Sequence, residues 1–142
     1  MIASTRLTVA LHILTLLASS EGEALTSEYI ADSVNTNPVV VRRLLGLLRK
    51  KGFVSSQPGS HGGWQLTTDP GKITLLDVRR AVQEGSPFAM HSQSPNPACP
   101  VGRNIQASLG GLYAKAERAM EGELAQSTVK GLLRSVQARQ RG

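Results

Sequence analysis

Apolar residues recur at three- and four-residue spacings near the start of the chain. They are Leu7, Ala10, Leu11, Leu14, Leu17 and Ala18. This period places them on one face of a helix, and residues 21–23 are expected to end it. Arg6 and His12 interrupt the apolar run and no small-residue cleavage site follows. The segment is therefore predicted to be an amphipathic helix and not a signal peptide or membrane span.

Two short helices are predicted next. Thr26 is a suitable N-cap for a helix that closes near Val34. Asn37 followed by Pro38 is a stronger start, because asparagine caps well and proline at the first helical position has no amide to leave unpaired. This third helix is expected to run to about Lys51. Its apolar stripe consists of Val41, Leu44, Leu45 and Leu48.

A β-hairpin is predicted directly after the third helix. Residues 53–56 and 63–67 have the composition of strands, and the segment between them is rich in turn residues. Two helices joined by a few residues, the second carrying arginines outward and leading into a hairpin, are typical of a winged helix-turn-helix. Thr74 is expected to cap a fourth helix with Leu75, Val78 and Val82 on its apolar face.

The C-terminal part is predicted to be a loop followed by two helices. Residues 85–98 contain three prolines, and Pro100 restarts a helix. The seam of this long helix consists of Val101, Ile105, Leu109, Leu112, Ala116 and Ala119. Such a helix has little of its own monomer to bury against, so it predicts a homodimer. Gly122 is expected to separate it from a last helix.

The predicted fold class is mainly α with a small β-hairpin. It consists of a winged helix-turn-helix domain at residues 1–84, a loop at residues 85–98 and dimerisation helices at residues 99–142. The 40% hydrophobic and 4% aromatic content favours helices over a sandwich or barrel. Cys99 is the only cysteine, which excludes an intramolecular disulfide and indicates a reducing, cytoplasmic location.

Positive charge is concentrated in one segment. The net charge is +6, and residues 42–68 contain five Arg and Lys residues and no Asp or Glu. Double-stranded DNA is the partner that this distribution and the predicted fold favour. The predicted DNA-binding residues are Thr26, Ser27, Asn37, Pro38, Val39, Val40, Arg42, Arg43, Arg49, Lys50, Ser60 and His61.

These residues fall into three groups. The third helix is expected to place arginines against guanine edges or phosphates and valine methyls against thymine methyls, although a merely solvated face is the alternative. Ser60 and His61 at the wing tip are expected to reach phosphate or the minor groove. The amides beside Thr26 and Ser27 suit a phosphate, but capping alone also explains Thr26.

Cys99 precedes Pro100 at a predicted helix start. The helix dipole and Arg103 should favour its thiolate, which predicts an oxidant-sensing thiol, although an inert cysteine is the alternative. His12 is expected to be an interior or interface residue, and His91 a loop residue. No pair of histidines or carboxylates has metal-ligand spacing and no nucleophile has a base nearby in sequence. The sequence predicts no metal, no cofactor and no enzymatic activity.

A longer pattern resembles a known family. Its segments are Asn37-Pro38, Lys50-Lys51-Gly52-Phe53-Val54, Gly59-Ser60-His61-Gly62-Gly63-Trp64-Gln65-Leu66 and Ile73-Thr74-Leu75-Leu76-Asp77-Val78. Over nearly the whole chain they resemble the Rrf-type family of bacterial transcriptional regulators. Residues 95–105 look most like its YwnA-like members, which lack an iron–sulfur cluster. Iron–sulfur members carry three cysteines in the loop before the long helix, where this chain has only Cys99, and many relatives have an arginine where Pro58 stands here.

The resulting hypothesis is a homodimeric repressor that binds a pseudo-palindromic operator and is switched through Cys99 or by a small molecule. One alternative is a winged-helix module that binds another protein and reads no DNA sequence. A third hypothesis is a cluster sensor that borrows ligands from the partner subunit. Replacing Arg42 and Arg43 by alanine separates the first two, since only DNA binding should require them.

Overall fold

A computed structural model of the chain describes residues 4–83 and 85–142. The helices are α1 (Arg6–Ser19), α2 (Ser27–Val34), α3 (Pro38–Lys50), α4 (Leu75–Val82), α5 (Pro100–Leu124) and α6 (Val129–Arg141). The strands β1 (Val54–Gln57) and β2 (Gly63–Leu66) pair antiparallel, and a short 3-10 turn at Pro70–Lys72 leads into α4. These elements confirm the predicted fold class, which is mainly α with a small hairpin. None of the described helices is both long and apolar enough to cross a membrane.

Side-chain caps start three of the helices where the sequence predicts them. The Thr26 hydroxyl accepts from the Tyr29 amide at 3.1 Å, and the Asn37 side chain accepts from the Val39 amide at 2.8 Å. Thr74 starts α4 with a capping box, in which its hydroxyl and the Asp77 carboxylate each bind the other residue's amide at 3.0 Å. Each cap satisfies amides that have no partner inside their own helix.

One hydrophobic core joins the helices of the winged domain. Its fully or nearly fully buried members are Ala10, Ile13, Leu14, Leu17, Ile30, Ala31, Val41, Leu44, Leu45, Leu48, Val54, Ile73, Val78, Val82 and Val129. The predicted stripe of α3 is buried in full. On α4, Leu76 is buried and Leu75 only partly so. The Leu75 amide donates to the Ser127 carbonyl at 2.9 Å.

The chain divides into two compact units. One comprises Met1–Gln83 with Leu124–Gly142, and the other comprises Glu84–Glu123. In the first unit α6 packs against α1, and the Val129 amide donates to the Ile73 carbonyl at 2.9 Å. The sequence grouped α6 with the long helix, but Val129 is buried in the core of the winged domain. The predicted boundary at residue 84 lies outside the described residues, and the role of the C-terminal helices in dimerisation stays a prediction.

The second unit consists of a loop and nearly all of α5. The rings of Phe88 and Tyr113 stack with centroids 5.1 Å apart, which fixes the loop to the helix. No described residue of α5 is buried, and Val101 and Leu112 are 68% and 62% exposed. The break predicted at Gly122 is wrong, since α5 continues to Leu124. A single interior glycine costs a helix only about 1 kcal/mol, which its other residues offset.

Candidate nucleic-acid interface

The face of α3 opposite the core presents apolar and basic side chains together. Val41 and Leu44 anchor the buried side, whereas Val39 is 50% and Val40 38% exposed. Arg43 is exposed and makes no hydrogen bond or ion pair with the described residues. Asn37 and Pro38 form the start of the helix, as predicted. This arrangement combines methyl groups, which suit thymine, with an available guanidinium, which suits guanine or phosphate.

Arg42 connects α3 to the first turn of α2. Its Nη1 donates to the Ser27 hydroxyl and to the Glu28 carboxylate, each at 3.3 Å. The Ser27 hydroxyl in turn donates to the second Glu28 oxygen at 3.5 Å. Ser27 is buried, while the side chains of Arg42 and Glu28 are 49% and 70% exposed. The structure thus brings Ser27 and Arg42 together and adds Glu28, which the sequence analysis did not select.

The other basic residues of α3 have different surroundings. The Arg49 guanidinium carbon lies 5.5 Å from the centroid of the Trp64 ring, at cation–π distance. Lys50 is exposed in the last turn of the helix. Trp64 itself is partly buried against the core. Arg49 therefore packs on the hairpin and extends the basic surface toward it.

The wing is a short hairpin with an exposed tip. Gln57 pairs with Gly63 at its outer end, and the Gly62 amide donates to the Gly59 carbonyl at 3.0 Å to close the turn. Ser60 and His61 lie exposed within this turn. Their positions suit contact with a phosphate backbone, as the sequence analysis expected.

The wing is also bound to the segment that precedes α2. Leu25 and Trp64 exchange two backbone hydrogen bonds of 2.9 and 2.7 Å. Gly63 permits this approach, because a Cβ atom there would lie 2.5 Å from the Leu25 carbonyl oxygen. The next residue after Leu25 is the α2 cap Thr26, so the wing and the helix-turn-helix share one backbone connection.

Tyr29 is a candidate DNA-facing residue that the sequence analysis missed. It lies in the first turn of α2, on the side opposite the buried Ser27 and Ile30, and it is 58% exposed. An exposed aromatic ring with a hydroxyl can contact both sugar and phosphate. The sequence does contain a signal for this residue, because Tyr29 follows the Thr26 cap by three positions. It therefore belongs to the same helix N-terminus whose amides are predicted to bind a phosphate.

Cys99 lies exposed immediately before α5. The backbone N–H groups of Gly102 and Val101 hydrogen-bond to its sulfur and lower the thiol pKa, because they stabilise the thiolate. Gly102 lies close to the preceding loop, since a Cβ there would be 2.5 Å from the Asn96 carbonyl oxygen. The predicted ionisation tendency is therefore supported, with backbone amides of the first helical turn as its cause.

A groove of about 830 Å³ lies between α1 and α6 in the first unit. Its lining includes Leu11, Leu133 and Val136, and His12 lies among the lining residues. The His12 Nε2 and the Ser33 hydroxyl are 3.0 Å apart, within hydrogen-bond distance. The side chain is exposed and not interior, because it lies on the groove side of α1 rather than on its core side.

These features define the class of the protein as a winged helix-turn-helix. The Rrf2 family, described as iron-dependent transcriptional regulators, matches residues 3–135. This chain belongs to the Rrf2 family of transcriptional regulators, which confirms the resemblance found in the sequence.

Two similar proteins agree with this assignment, and a third shares the fold. YwnA of Bacillus subtilis (strain 168), named as an HTH-type transcriptional regulator, is 49% identical over 131 residues, which are 92% of this chain and 96% of YwnA. A crystal structure named only as a DNA-binding protein has 44% identity and a TM-score of 0.72, and the match covers 90% of this chain and 98% of that one. CymR of B. subtilis shares the fold with a TM-score of 0.71 at 24% identity, over 95% of this chain and 98% of CymR.

Whether this chain can hold the iron that its family is described as using depends on its donor side chains. Within residues 4–83 and 85–142, no group of three or more His, Cys, Asp or Glu side chains is placed to hold a metal ion. The whole sequence has one cysteine, whereas an iron–sulfur cluster is usually held by several thiolates. The described donors of one chain do not fit such a group.

Proposed function

We propose that this protein is a homodimeric repressor that binds a pseudo-palindromic DNA site. Each α3 lies in a major groove, with Val39 and Val40 against base edges and with Arg42 and Arg43 against guanine edges or phosphates. Ser60 and His61 of each wing contact the flanking backbone. A two-fold dimer places its recognition helices one or more helical turns apart, so the two half-sites are related by the same symmetry.

The exposed face of α3 is the observation that carries this proposal. Arg43 has no protein partner among the described residues, and half-exposed Val39 lies one turn before it. Residues 42–68 contain no carboxylate to oppose a phosphate. A solvated face would not require exposed valines, whereas a major-groove surface uses both kinds of side chain.

Dimerisation through α5 follows from its uncovered apolar side chains. Val101 and Leu112 are more exposed than any other large hydrophobic residue described. Burying both against a second copy removes apolar area from water and supplies the driving force for association. The dimer then provides the two-fold symmetry that a pseudo-palindromic site requires.

Cys99 is the proposed switch. Its lowered pKa raises the fraction of thiolate at neutral pH, and the thiolate is the form that peroxide oxidises to sulfenic acid. Its exposure gives the oxidant access. Oxidation changes the group at the start of α5, the helix through which the two copies associate.

The test is binding to a set of genomic duplexes, including the region upstream of the protein's own gene, at several salt concentrations. We expect selective binding whose affinity falls steeply with salt, because each neutralised phosphate contributes about 0.9 to the logarithmic slope. Arg43→Ala removes two arginines from each dimer, so it should reduce the slope by about 1.8 if both contact phosphate, or relax selectivity at one base pair of each half-site if they contact bases. Absence of selectivity on every duplex would favour the protein-interaction module.

The switch is tested in the same assay with peroxide. Wild type should lose binding on oxidation, and Cys99→Ser should keep it. Wild type that is indifferent to peroxide would leave the regulator in place and direct the search to a small-molecule effector.

A further inference from the structure

The first turn of α2 carries a carboxylate next to Arg42 of α3, the helix that the proposed function assigns to DNA. Glu28 is 70% exposed and neighbours the proposed phosphate-binding residues Thr26 and Ser27. A glutamate in this place repels phosphate, so it weakens binding unless it acts through another group. The group through which Glu28 can act is Arg42, whose guanidinium donates a hydrogen bond to the Glu28 carboxylate.

The contact occupies one nitrogen of the Arg42 guanidinium. Nη1 makes both hydrogen bonds, to Glu28 and to Ser27, and these use its two N–H groups. Nε and Nη2 make no hydrogen bond to any residue that the structure describes. That remaining edge carries two parallel N–H groups, the geometry that guanine O6 and N7 or a phosphate accepts.

We propose that Glu28, with Ser27, is a positioning residue that fixes the Arg42 guanidinium and thereby increases the discrimination between specific and non-specific DNA. A free arginine loses rotamer freedom when it binds a base. An arginine already held at Nη1 by a carboxylate loses less of it, so more of the contact energy appears as selectivity. The inference rests on the proposed DNA binding and adds a residue that does not touch DNA.

The charge of Glu28 and its positioning role have opposite effects on binding, which makes them separable. Removing the carboxylate removes a repulsion and tightens binding to any duplex. Removing the restraint on Arg42 weakens only the binding that depends on an ordered guanidinium. Glu28→Ala should therefore bind non-specific DNA more tightly while its ratio of specific to non-specific affinity falls about two- to tenfold.

Asp32 supplies a matched control. It lies four residues further along α2, on the same side of the helix as Glu28, is exposed, and has no ion pair among the described residues. Asp32→Ala should tighten non-specific binding to a similar degree and leave the affinity ratio unchanged. In Glu28→Gln the ratio of specific to non-specific affinity should fall less than in Glu28→Ala, because the amide oxygen can still accept from Arg42.

The experiment uses the full-length chain, a duplex recovered from a random pool by in vitro selection with wild type, and a scrambled duplex of equal composition. Affinities for both are measured by fluorescence anisotropy at one salt concentration. We expect the ratio of specific to non-specific affinity to fall in Glu28→Ala but not in Asp32→Ala. Adding Glu28→Ala to Arg42→Ala should cause no further fall in this ratio. An unchanged ratio in Glu28→Ala, or an equal reduction in the Arg42→Ala background, would overturn the inference. Failure of the selection to enrich any sequence would instead refute the proposed function.

Discussion

The close approach of the wing to the start of α2 makes Gly63 a sensitive position. Its φ of +142° is one that L side chains rarely adopt, and a Cβ atom would lie 2.5 Å from the Leu25 carbonyl oxygen and 2.6 Å from its carbon. Both neighbours are backbone atoms, so no flexible side chain can move away. Gly63→Ala should therefore open the paired hydrogen bonds between Leu25 and Trp64.

The size of the effect follows from two contributions. Each lost backbone hydrogen bond lowers the free energy of unfolding by about 0.5–1.5 kcal/mol, so two account for about 1–3 kcal/mol. The positive φ adds about 1–3 kcal/mol for a residue with a Cβ atom, because such residues rarely populate this backbone region. Gly59→Ala isolates this second contribution, because Gly59 has φ +103° and nothing within 4 Å of its Cβ position. Gly63→Ala should thus lose about 1–3 kcal/mol more than Gly59→Ala.

Urea unfolding followed by circular dichroism measures this difference. All variants are compared at one chain concentration, since association makes the apparent stability of a dimer depend on concentration. Equal losses in Gly63→Ala and Gly59→Ala would refute the reasoning, because they would mean that the pairing with Leu25 does not stabilise the wing. A larger loss of unfolding free energy in Gly63→Ala than in Gly59→Ala, with an unchanged slope against urea concentration, would support the reasoning.

Three further predictions follow from local geometry. Asn37→Ala removes the 2.8 Å cap of α3 and should lower the free energy of unfolding by about 1 kcal/mol in the same urea assay, and an unchanged midpoint would contradict the cap. The rate of Cys99 alkylation by iodoacetamide should reach its half-maximum at lower pH in the folded chain than in urea, because backbone amides stabilise the folded thiolate. Gly102→Ala places a Cβ atom 2.5 Å from the Asn96 carbonyl oxygen and should shift the midpoint pH toward that of the unfolded chain. Identical midpoints in folded wild type, folded Gly102→Ala and unfolded chain would exclude the backbone amides as the cause of the lowered pKa. Leu112→Glu should shift the sedimenting species from dimer to monomer, whereas an unchanged mass would place the interface elsewhere.

Local signals made most of the helix-turn-helix predictable. The caps at Thr26, Asn37 and Thr74 depend on amides two or three residues away, and each forms as expected. The stripe of α3 is buried in full because a period of 3.6 residues fixes which side chains share a face. These features require no knowledge of distant parts of the chain.

Contacts between distant segments were not predictable in the same way. Leu25 pairs with Trp64, and Thr74 with Thr128, through backbone groups that every residue carries. The apolar residues of α6 indicated only that one face needs a partner. Val129 packs in the core of the winged domain, so α6 belongs to the first unit and not to the unit that contains most of α5. Amphipathic periodicity identifies a buried face but does not identify what covers it.

The basic residues of α3 show the same limit for function. The sequence counts Arg42, Arg43 and Arg49 as equal positive charges on one helix. The structure gives them three different environments, since Arg42 is ion-paired to Glu28, Arg49 lies over Trp64, and Arg43 has no partner among the described residues. An arginine held by a neighbour is better suited to selective contact, because its orientation is already restricted, whereas a free one adapts to any phosphate. Which arginine reads sequence and which supplies attraction is therefore decided by contacts outside α3, and the identity of the residues on α3 alone does not determine it.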